Sequence, residues 1–182
     1  MVFENGDSVQ RLESAAHVTR PPMNKNEVST DALFNPHVPG IDYGVLDSLV
    51  GYGVRRAQLA LNDLFIQSLA PWNITPPRFS ALVIISRNPG LKLTQLAKVL
   101  GIARSGAVML VDALEDLGYV ERLDVPEDRR AFGLALTAKG QTDLVAITQA
   151  VVQQDQLAAR PLGSAGSEQL LAMLQQLANP NR

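Results

Sequence analysis

Apolar residues recur at helical spacing along most of this chain, and prolines and glycines separate the repeats. The first stripe predicts a long helix from Asp42 to about Ala70, because the ring of Pro71 cannot continue the hydrogen-bond ladder. A second helix is predicted from Pro76, a first-turn position where proline is favoured, with Thr75 as its N-cap. The first stripe consists of Leu46, Leu49, Val50, Gly53, Val54, Ala57, Leu61, Leu64 and Phe65.

Two shorter helical patterns follow between residues 93 and 118. Thr94 is expected to cap the first of them, Gly101 supplies the turn, and Ile102 is expected to plug the gap between the two helices. Gly118 ends the second helix. The apolar positions that face inward are Leu96, Ala97, Leu100, Val108, Val111 and Leu114. This order of elements predicts a helix–turn–helix.

Residues 119–137 predict two short strands joined by a charged tip, so the helix–turn–helix is expected to carry a β wing. Thr137 then caps a closing helix from Ala138 to about Ala159. A last amphipathic helix from Ser167 to Ala178 presents Leu170, Leu171, Leu174 and Leu177. The predicted fold class is mainly α with a small β wing (α+β), a winged helix–turn–helix whose natural partner is duplex DNA.

Four residues around the predicted wing stand at a spacing that is typical of one family. Asp128, Arg130, Leu136 and Thr137 match the wing signature of the MarR family of transcriptional regulators. The segments ITPPRFSAL and LTAKG are similar to the helix starts before and after the family's DNA-binding elements. The chain therefore resembles the MarR family over about residues 43–178.

The resemblance implies a winged helix–turn–helix domain at 71–137 and a helical dimerisation region formed by 41–70 and 138–182. These terminal helices carry more apolar surface than one winged helix covers, which also favours a two-fold homodimer. An intramolecular bundle around the DNA-binding domain is the alternative. Residues 1–40 are polar and rich in proline, which predicts either a mobile arm or an extension over a partner subunit anchored by Leu33, Phe34 and Val38.

Composition narrows the class of protein. The 182 residues are 46% apolar, no run approaches the ~18 apolar residues of a membrane span, and the first residues are polar, so a soluble cytoplasmic protein without membrane contact is expected. The absence of cysteine excludes disulfides and thiol-based sensing. An enzyme is not expected, because the sequence pairs no nucleophile with a base and has no glycine-rich phosphate loop.

Charge is divided unevenly along the chain. Residues 76–140 carry nine basic and seven acidic side chains, a net charge of +2, whereas the remainder carries −4 and the whole chain −2. This asymmetry favours the helix–turn–helix as the part that faces phosphates, although the excess is small.

The expected DNA contacts lie on the helix–turn–helix and the wing. Arg104 and Ser105 stand on the first turn of the second helix, where an arginine can hold guanine through two hydrogen bonds. Val108 and Met109 either touch thymine methyl groups or belong to the core. The full set is Thr94, Gln95, Arg104, Ser105, Gly106, Val108, Met109, Arg129 and Arg130.

The wing tip has two interpretations. In one, Arg130 enters the minor groove, where the negative potential favours a guanidinium, and Asp128 orients it through a paired contact. In the other, the tip is a solvated turn whose charges pair with each other.

No cofactor and no metal are expected, because His17 and His37 lie apart without clustered acidic ligands. The expected input is therefore a small organic effector, an aromatic carboxylate or an aromatic acyl-coenzyme A thioester, which would need stacking surfaces and a cation. The candidate residues, which could also be ordinary core and surface positions, are Tyr52, Arg55, Arg56, Trp72, Arg78 and Phe79.

These features and the resemblance predict a ligand-responsive regulator, a repressor in the usual family mode. It would bind a pseudo-palindromic DNA operator as a homodimer and be released by its effector. The alternative is a winged helix that serves only protein–protein contacts.

Overall fold

A computed structural model of the chain describes residues 34–124 and 132–179. Most of these residues are helical, and three short strands complete the wing, so the expected fold class is confirmed. The elements in these ranges are α1 (Val50–Leu69), α2 (Pro76–Arg87), β1 (Leu91–Lys92), α3 (Leu93–Leu100), α4 (Arg104–Asp116), β2 (Val120–Asp124), β3 (Phe132–Leu136), α5 (Ala138–Ala159) and α6 (Gly163–Ala178), with 3-10 helices at Gly44–Ser48, Ala70–Trp72 and Arg160–Leu162.

The strands form an antiparallel sheet in the order β1-β3-β2. β2 and β3 are the two predicted wing strands, and β1 was not expected, because two residues are too short to display an alternating pattern. A glycine at 133 is required where β3 passes the turn before β1, since a Cβ there would lie 2.9 Å from the Cα of Gly90.

The core lies between α2, α3, α4 and the sheet, and the ends of the chain add little to it. Leu69 of α1 and Ile147 of α5 are the two buried hydrophobic residues contributed by the long terminal helices in the described ranges. The other buried hydrophobic residues are Ile74, Ala81, Leu82, Ile85, Leu93, Leu96, Ala97, Ala107, Val111, Leu114, Tyr119, Val120, Leu134 and Leu136. The helix–turn–helix is thus held rigidly by its own packing.

The start of α5 is fixed by a dense set of polar contacts. Thr137 caps the helix as predicted, because its Oγ1 accepts from the backbone N–H of Gly140 at 3.0 Å. The same hydroxyl donates to the carbonyl of Gly118 at 2.6 Å. The first turn of α5 lies so close to the backbone of Tyr119 that a Cβ at Gly140 would lie 2.1 Å from the Tyr119 carbonyl oxygen. Only glycine fits at this position.

Three predicted helix starts are wrong, each for a local reason. The first helix does not begin at Asp42, because the 3-10 helix Gly44–Ser48 ends at an extended Leu49 (ψ 118°) and interrupts the ladder before α1. α3 begins at Leu93, ahead of Thr94, and the Gln95 side chain accepts from the Lys92 N–H at 3.0 Å, which replaces the expected threonine cap.

The third wrong start is that of α6, which begins at Gly163, four residues before Ser167, because the 3-10 turn of Arg160–Leu162 leads directly into it. By contrast, α2 begins at Pro76 as predicted, with Thr75 at the N-cap position, although its side chain makes no capping hydrogen bond.

Candidate nucleic-acid interface

The helix–turn–helix is formed by α3, a tight turn and α4. Gly101 adopts a left-handed conformation (φ +65°), which any side chain would strain, and the next N–H, of Ile102, donates to the carbonyl of Ala97 at 3.1 Å. Ile102 is not the predicted plug, because its side chain is 38% exposed. It lies instead beside α4, with Cδ1 3.9 Å from the place a Cβ on Gly106 would occupy.

α4 divides into a buried and an exposed face. Ala107, Val111 and Leu114 are fully buried, and they fix the helix against the core. Arg104 and Ser105 are exposed on the first turn, with no side-chain hydrogen bond to either among the described residues. A helix start with free N–H groups, an arginine and a hydroxyl can bind phosphates or base edges.

The structure distinguishes the two apolar candidates on α4. Val108 is half-buried and packs against the core, so its first role is structural. Met109 is 72% exposed, which rules out the core interpretation for this residue. Gly106 is half-buried, and Thr94 and Gln95 are exposed at the start of α3.

The wing strands β2 and β3 pair over their full length, from Val120 opposite Leu136 to Asp124 opposite Phe132. The predicted tip residues Asp128, Arg129 and Arg130 lie outside the described residues, so their contacts stay a prediction.

A cluster of side chains that the sequence did not predict connects the wing to α4. Arg122 of β2 contacts Asp112 at 2.5 Å and Glu115 at 3.0 Å, both on α4. Its guanidinium also lies 4.8 Å from the ring centroid of Phe132 on β3. Arg122 appeared in the sequence only as one basic residue among nine, because the partners of a side chain depend on the tertiary structure.

Four further cations lie on or beside the helix–turn–helix. They are exposed, and none has a carboxylate within 4.0 Å in the ranges 34–124 and 132–179. These cations are Arg87, Lys92, Lys98 and Arg104. Unpaired exposed cations around an exposed helix start favour an anionic partner.

The six predicted effector residues fall into two groups. At the start of α1, the Arg56 guanidinium stands 4.9 Å from the ring centroid of Tyr43 and 5.3 Å from that of Tyr52, and it contacts Asp47 and the Nδ1 of His37 at 3.4 Å each.

In the second group, around the start of α2, Arg78 donates to the carbonyl of Asn73 at 2.7 Å, and Phe79 packs on Phe65 with ring centroids 6.0 Å apart. Trp72 is half-buried against the core. Arg55 belongs to the first group, on α1 beside Arg56, and is exposed.

An apolar cavity of about 480 Å³ opens between α1, the first residue of α2 and α6. None of the six predicted effector residues lines it. Its lining includes Val54, Ala57, Leu61, Phe65, Leu170 and Leu174. Within the described residues, no helix combines the length and apolarity needed to cross a bilayer.

The packed α3–turn–α4 unit with its three-stranded sheet defines the chain as a winged helix–turn–helix protein. The family model described as MarR family matches residues 72–131. A protein of Thauera aromatica, named as the transcriptional regulatory protein for the hcr operon, is 32% identical over 144 residues, which cover 79% of this chain and 87% of that protein. The chain belongs to the MarR family of transcriptional regulators.

Two solved structures of the transcriptional repressor CouR resemble the fold. One, bound to a 23-mer DNA duplex, is 36% identical, with a TM-score of 0.73 over 76% of this chain and 99% of that chain. The other, bound to p-coumaroyl-CoA, is 34% identical, with a TM-score of 0.71 over 76% of this chain and 98% of that chain. The resemblance noted in the sequence is thereby confirmed.

Proposed function

We propose that this chain is a transcriptional repressor that binds duplex DNA through α4 and the wing. The exposed face of α4 is the main observation in support. The core holds this helix rigidly, while Arg104, Ser105 and Met109 remain exposed. A rigid helix with an exposed polar first turn fits the major groove, where its side chains reach base edges. The CouR–DNA complex supports the same use of the fold in a similar protein.

Base contacts would come from few residues. Arg104 is suited to hold guanine through two hydrogen bonds, and Ser105 to meet a phosphate or a base edge. Met109 is exposed and apolar, and the thymine C5-methyl is the apolar group that the major groove offers. We therefore expect operators with an A·T pair opposite Met109. Contacts from Thr94, Gln95, Arg129 and Arg130 belong to the same proposal, with Asp128 as support for the wing.

The repressor would act as a homodimer. No residue of α6 is buried, although it presents an apolar stripe, and Leu171, Met173 and Leu177 are more than half exposed. A second copy would cover this stripe together with the exposed first half of α1. Two-fold symmetry would then place two α4 helices about 34–36 Å apart, one DNA turn, and predict a pseudo-palindromic operator.

The effector would be an aromatic acyl-coenzyme A thioester or the related carboxylate. CouR is similar to this chain and was solved with p-coumaroyl-CoA bound, which supports this class. The apolar cavity of about 480 Å³ lies within the usual size range of small-ligand sites and suits an aromatic acyl group. Arg55 and Arg56 stand between its lining residues Val54 and Ala57 along α1, where they could meet an anionic group.

Selection of bound sequences from a randomised duplex library is the direct test of DNA binding. We expect enrichment of a pseudo-palindrome with half-sites one turn apart, and binding that weakens as salt rises, because phosphate contacts release counterions. Retention of no duplex at low salt would instead favour the alternative, a winged helix used for protein–protein contacts.

The dimer is tested by sedimentation of the full chain against a chain that ends at Leu162, before α6. We expect the full chain to sediment at twice its 19.7 kDa mass and the truncated chain to dissociate. A matched control replaces Val99, which is 62% exposed on α3 and outside the predicted dimerisation region, with glutamate and should leave the dimer intact. A full chain that is monomeric at micromolar concentration would contradict the dimer.

Calorimetry with p-coumaroyl-CoA, p-coumarate and free coenzyme A tests the effector class. We expect the thioester to bind and to weaken operator binding about 5- to 150-fold, the usual range of allosteric coupling. Leu61→Glu, which places a charge in the cavity, should abolish binding of the thioester and leave operator binding intact. Thioester binding that leaves DNA affinity unchanged would contradict the sensor role.

A further inference from the structure

Arg122 is the only described residue of the wing strands that forms ion pairs with another element, α4. It stands opposite Leu134 in the register of β2 and β3, on the same face of the sheet as the buried Val120. That face is turned toward α4, so the side chain of Arg122 crosses from the wing to the recognition helix. Its two partners, Asp112 and Glu115, are one turn apart on α4.

The third contact of Arg122 brings in the other wing strand. The ring of Phe132 lies under the guanidinium at 4.8 Å, and Phe132 is diagonal to Arg122 across the β2–β3 ladder. Phe132 is also the first residue after the undescribed segment 125–131, which carries Arg129 and Arg130. One guanidinium, carried by β2, therefore contacts both α4 and β3.

We propose that Arg122 is a clasp, a positioning residue that holds the wing at a fixed angle to α4 so that both reach the DNA together. A planar guanidinium has donors for two carboxylates and a flat face for an aromatic ring, whereas an ammonium is a point charge. An isolated exposed ion pair contributes little to stability, because ordering the two side chains costs entropy. Here the ordering of the single Arg122 side chain allows three contacts, so the entropy cost per contact is lower. The DNA part of this inference rests on the proposed function.

The charges around the clasp make it testable. Asp112 lies on the exposed face of α4, three and seven residues beyond Met109 and Ser105, and its side chain is 51% exposed. A carboxylate on the DNA-facing side repels phosphates, so electrostatics alone predicts that Asp112→Asn tightens DNA binding. The clasp predicts the opposite sign, because the amide loses the charged contact that holds the wing.

The first measurement needs no DNA. Amide hydrogen exchange of β2 and β3 in the full chain should be about tenfold faster in Arg122→Ala, which corresponds to about 1.4 kcal/mol. Arg122→Lys should exchange at an intermediate rate, because one ammonium cannot span both carboxylates. Glu121→Gln is the matched control, an exposed acid on the same strand without an ion pair in the described residues, and should exchange like wild type.

The second measurement is binding to the duplex selected from the randomised library. We expect Arg122→Ala to bind about tenfold more weakly and Asp112→Asn about threefold more weakly, the range of a single exposed pair. The double variant should be no weaker than Arg122→Ala, because both substitutions break the same contact. Glu121→Gln should bind at least as well as wild type.

Unchanged exchange in Arg122→Ala, full wild-type behaviour of Arg122→Lys, or tighter DNA binding by Asp112→Asn would each overturn the clasp. If the wild-type chain binds no duplex while Arg122→Ala still accelerates exchange in the wing, the proposed function fails and the structural clasp stands. Thermal unfolding separates a local change at the wing from loss of the fold, since the core beneath the clasp is untouched in these variants.

Discussion

In the middle of this chain most large apolar side chains are buried or half-buried, whereas at its two ends most of them are exposed. Of the sixteen buried hydrophobic residues in the described ranges, fourteen lie between Ile74 and Leu136. Of the twenty-two large hydrophobic side chains that stay exposed in the same described ranges, only four lie in that span. The middle region is therefore a self-sufficient packing unit, whereas the helices at the two ends leave most of their large apolar side chains exposed.

This contrast shows that an amphipathic pattern specifies which face of a helix is apolar but does not specify what packs against that face. α3 and α6 both carry leucines at helical spacing, yet Leu96 of α3 is fully buried and Leu171 of α6 is 58% exposed. The sequences of the two helices do not reveal this difference, because an apolar stripe looks the same whether its partner lies in the same chain or in another.

The largest effect is expected at the junction between the middle and the closing helix. In Gly140→Ala the new Cβ would lie 2.1 Å from the carbonyl oxygen of Tyr119, a backbone atom that cannot yield without moving the sheet. We expect a loss of more than about 4 kcal/mol in the free energy of unfolding, in the range of severe backbone and packing defects. Urea unfolding followed by circular dichroism measures it.

Gly51→Ala is the control for this substitution at the other end. Gly51 is an exposed helical glycine of α1, and no atom lies within 4 Å of its ideal Cβ. Replacement should be neutral or should stabilise the helix by about 0.5–1 kcal/mol, since alanine loses less entropy on folding. Equal losses in the two variants would contradict the tight junction at Gly140.

A pair of identical substitutions tests the contrast between the regions directly. Leu96→Ala should cost about 3 kcal/mol, because it leaves a cavity in the core. Leu171→Ala should change the stability of the monomer by less than about 0.5 kcal/mol, as exposed positions do. At concentrations that favour assembly, Leu171→Ala should weaken the dimer, which sedimentation measures. A large loss for Leu171→Ala in dilute monomer would mean that α6 packs within its own chain.

Periodicity and turn residues were sufficient to predict much of the fold. α5 was predicted from Ala138 to Ala159 because a threonine cap and a proline-containing break mark its ends. The starts of α1 and α3 were wrong because an extended Leu49 and a glutamine contact to Lys92 are set by local backbone geometry, which several residue types can adopt.

The candidate site was predictable at the level of a helix face and less so at the level of single side chains. Helical spacing placed Arg104 and Ser105 on the outside of α4 but did not separate Val108 from Met109, which lie 100° apart on the helix. The contacts of Arg122 could not be predicted from the sequence, because they join separate elements across a tertiary interface. Sequence alone also did not reveal that Arg56 contacts Asp47 and His37.

We expect the exposed side chains of the middle region to bind DNA. A substitution at the predicted wing tip tests this expectation. Arg130→Ala should weaken binding of the selected duplex by about 1–3 kcal/mol, if its guanidinium enters the minor groove. Unfolding should be unaffected, because the substitution removes no apolar side chain from the core. Titration of a fluorescent duplex at matched salt measures the change. Wild-type affinity in this variant would remove Arg130 from the interface and favour the interpretation of the tip as a solvated turn.

The smallest effect is expected for the exposed methionine of α4. Met109→Ala should weaken binding of the selected duplex by about 1 kcal/mol, the value of roughly one buried methylene group. Val99→Ala is the matched control, since Val99 is 62% exposed on α3 and Met109 is 72% exposed on α4.

Changes in the DNA can show which group of the duplex Met109 contacts. Replacing each thymine of the duplex by deoxyuridine in turn removes one C5-methyl group and leaves the hydrogen-bonding edge unchanged. If Met109 touches a thymine methyl, one of these replacements weakens wild-type binding and has no further effect on Met109→Ala, because protein and DNA variants then remove the same contact. Additive losses at every thymine would show that Met109 is exposed for a reason other than base recognition.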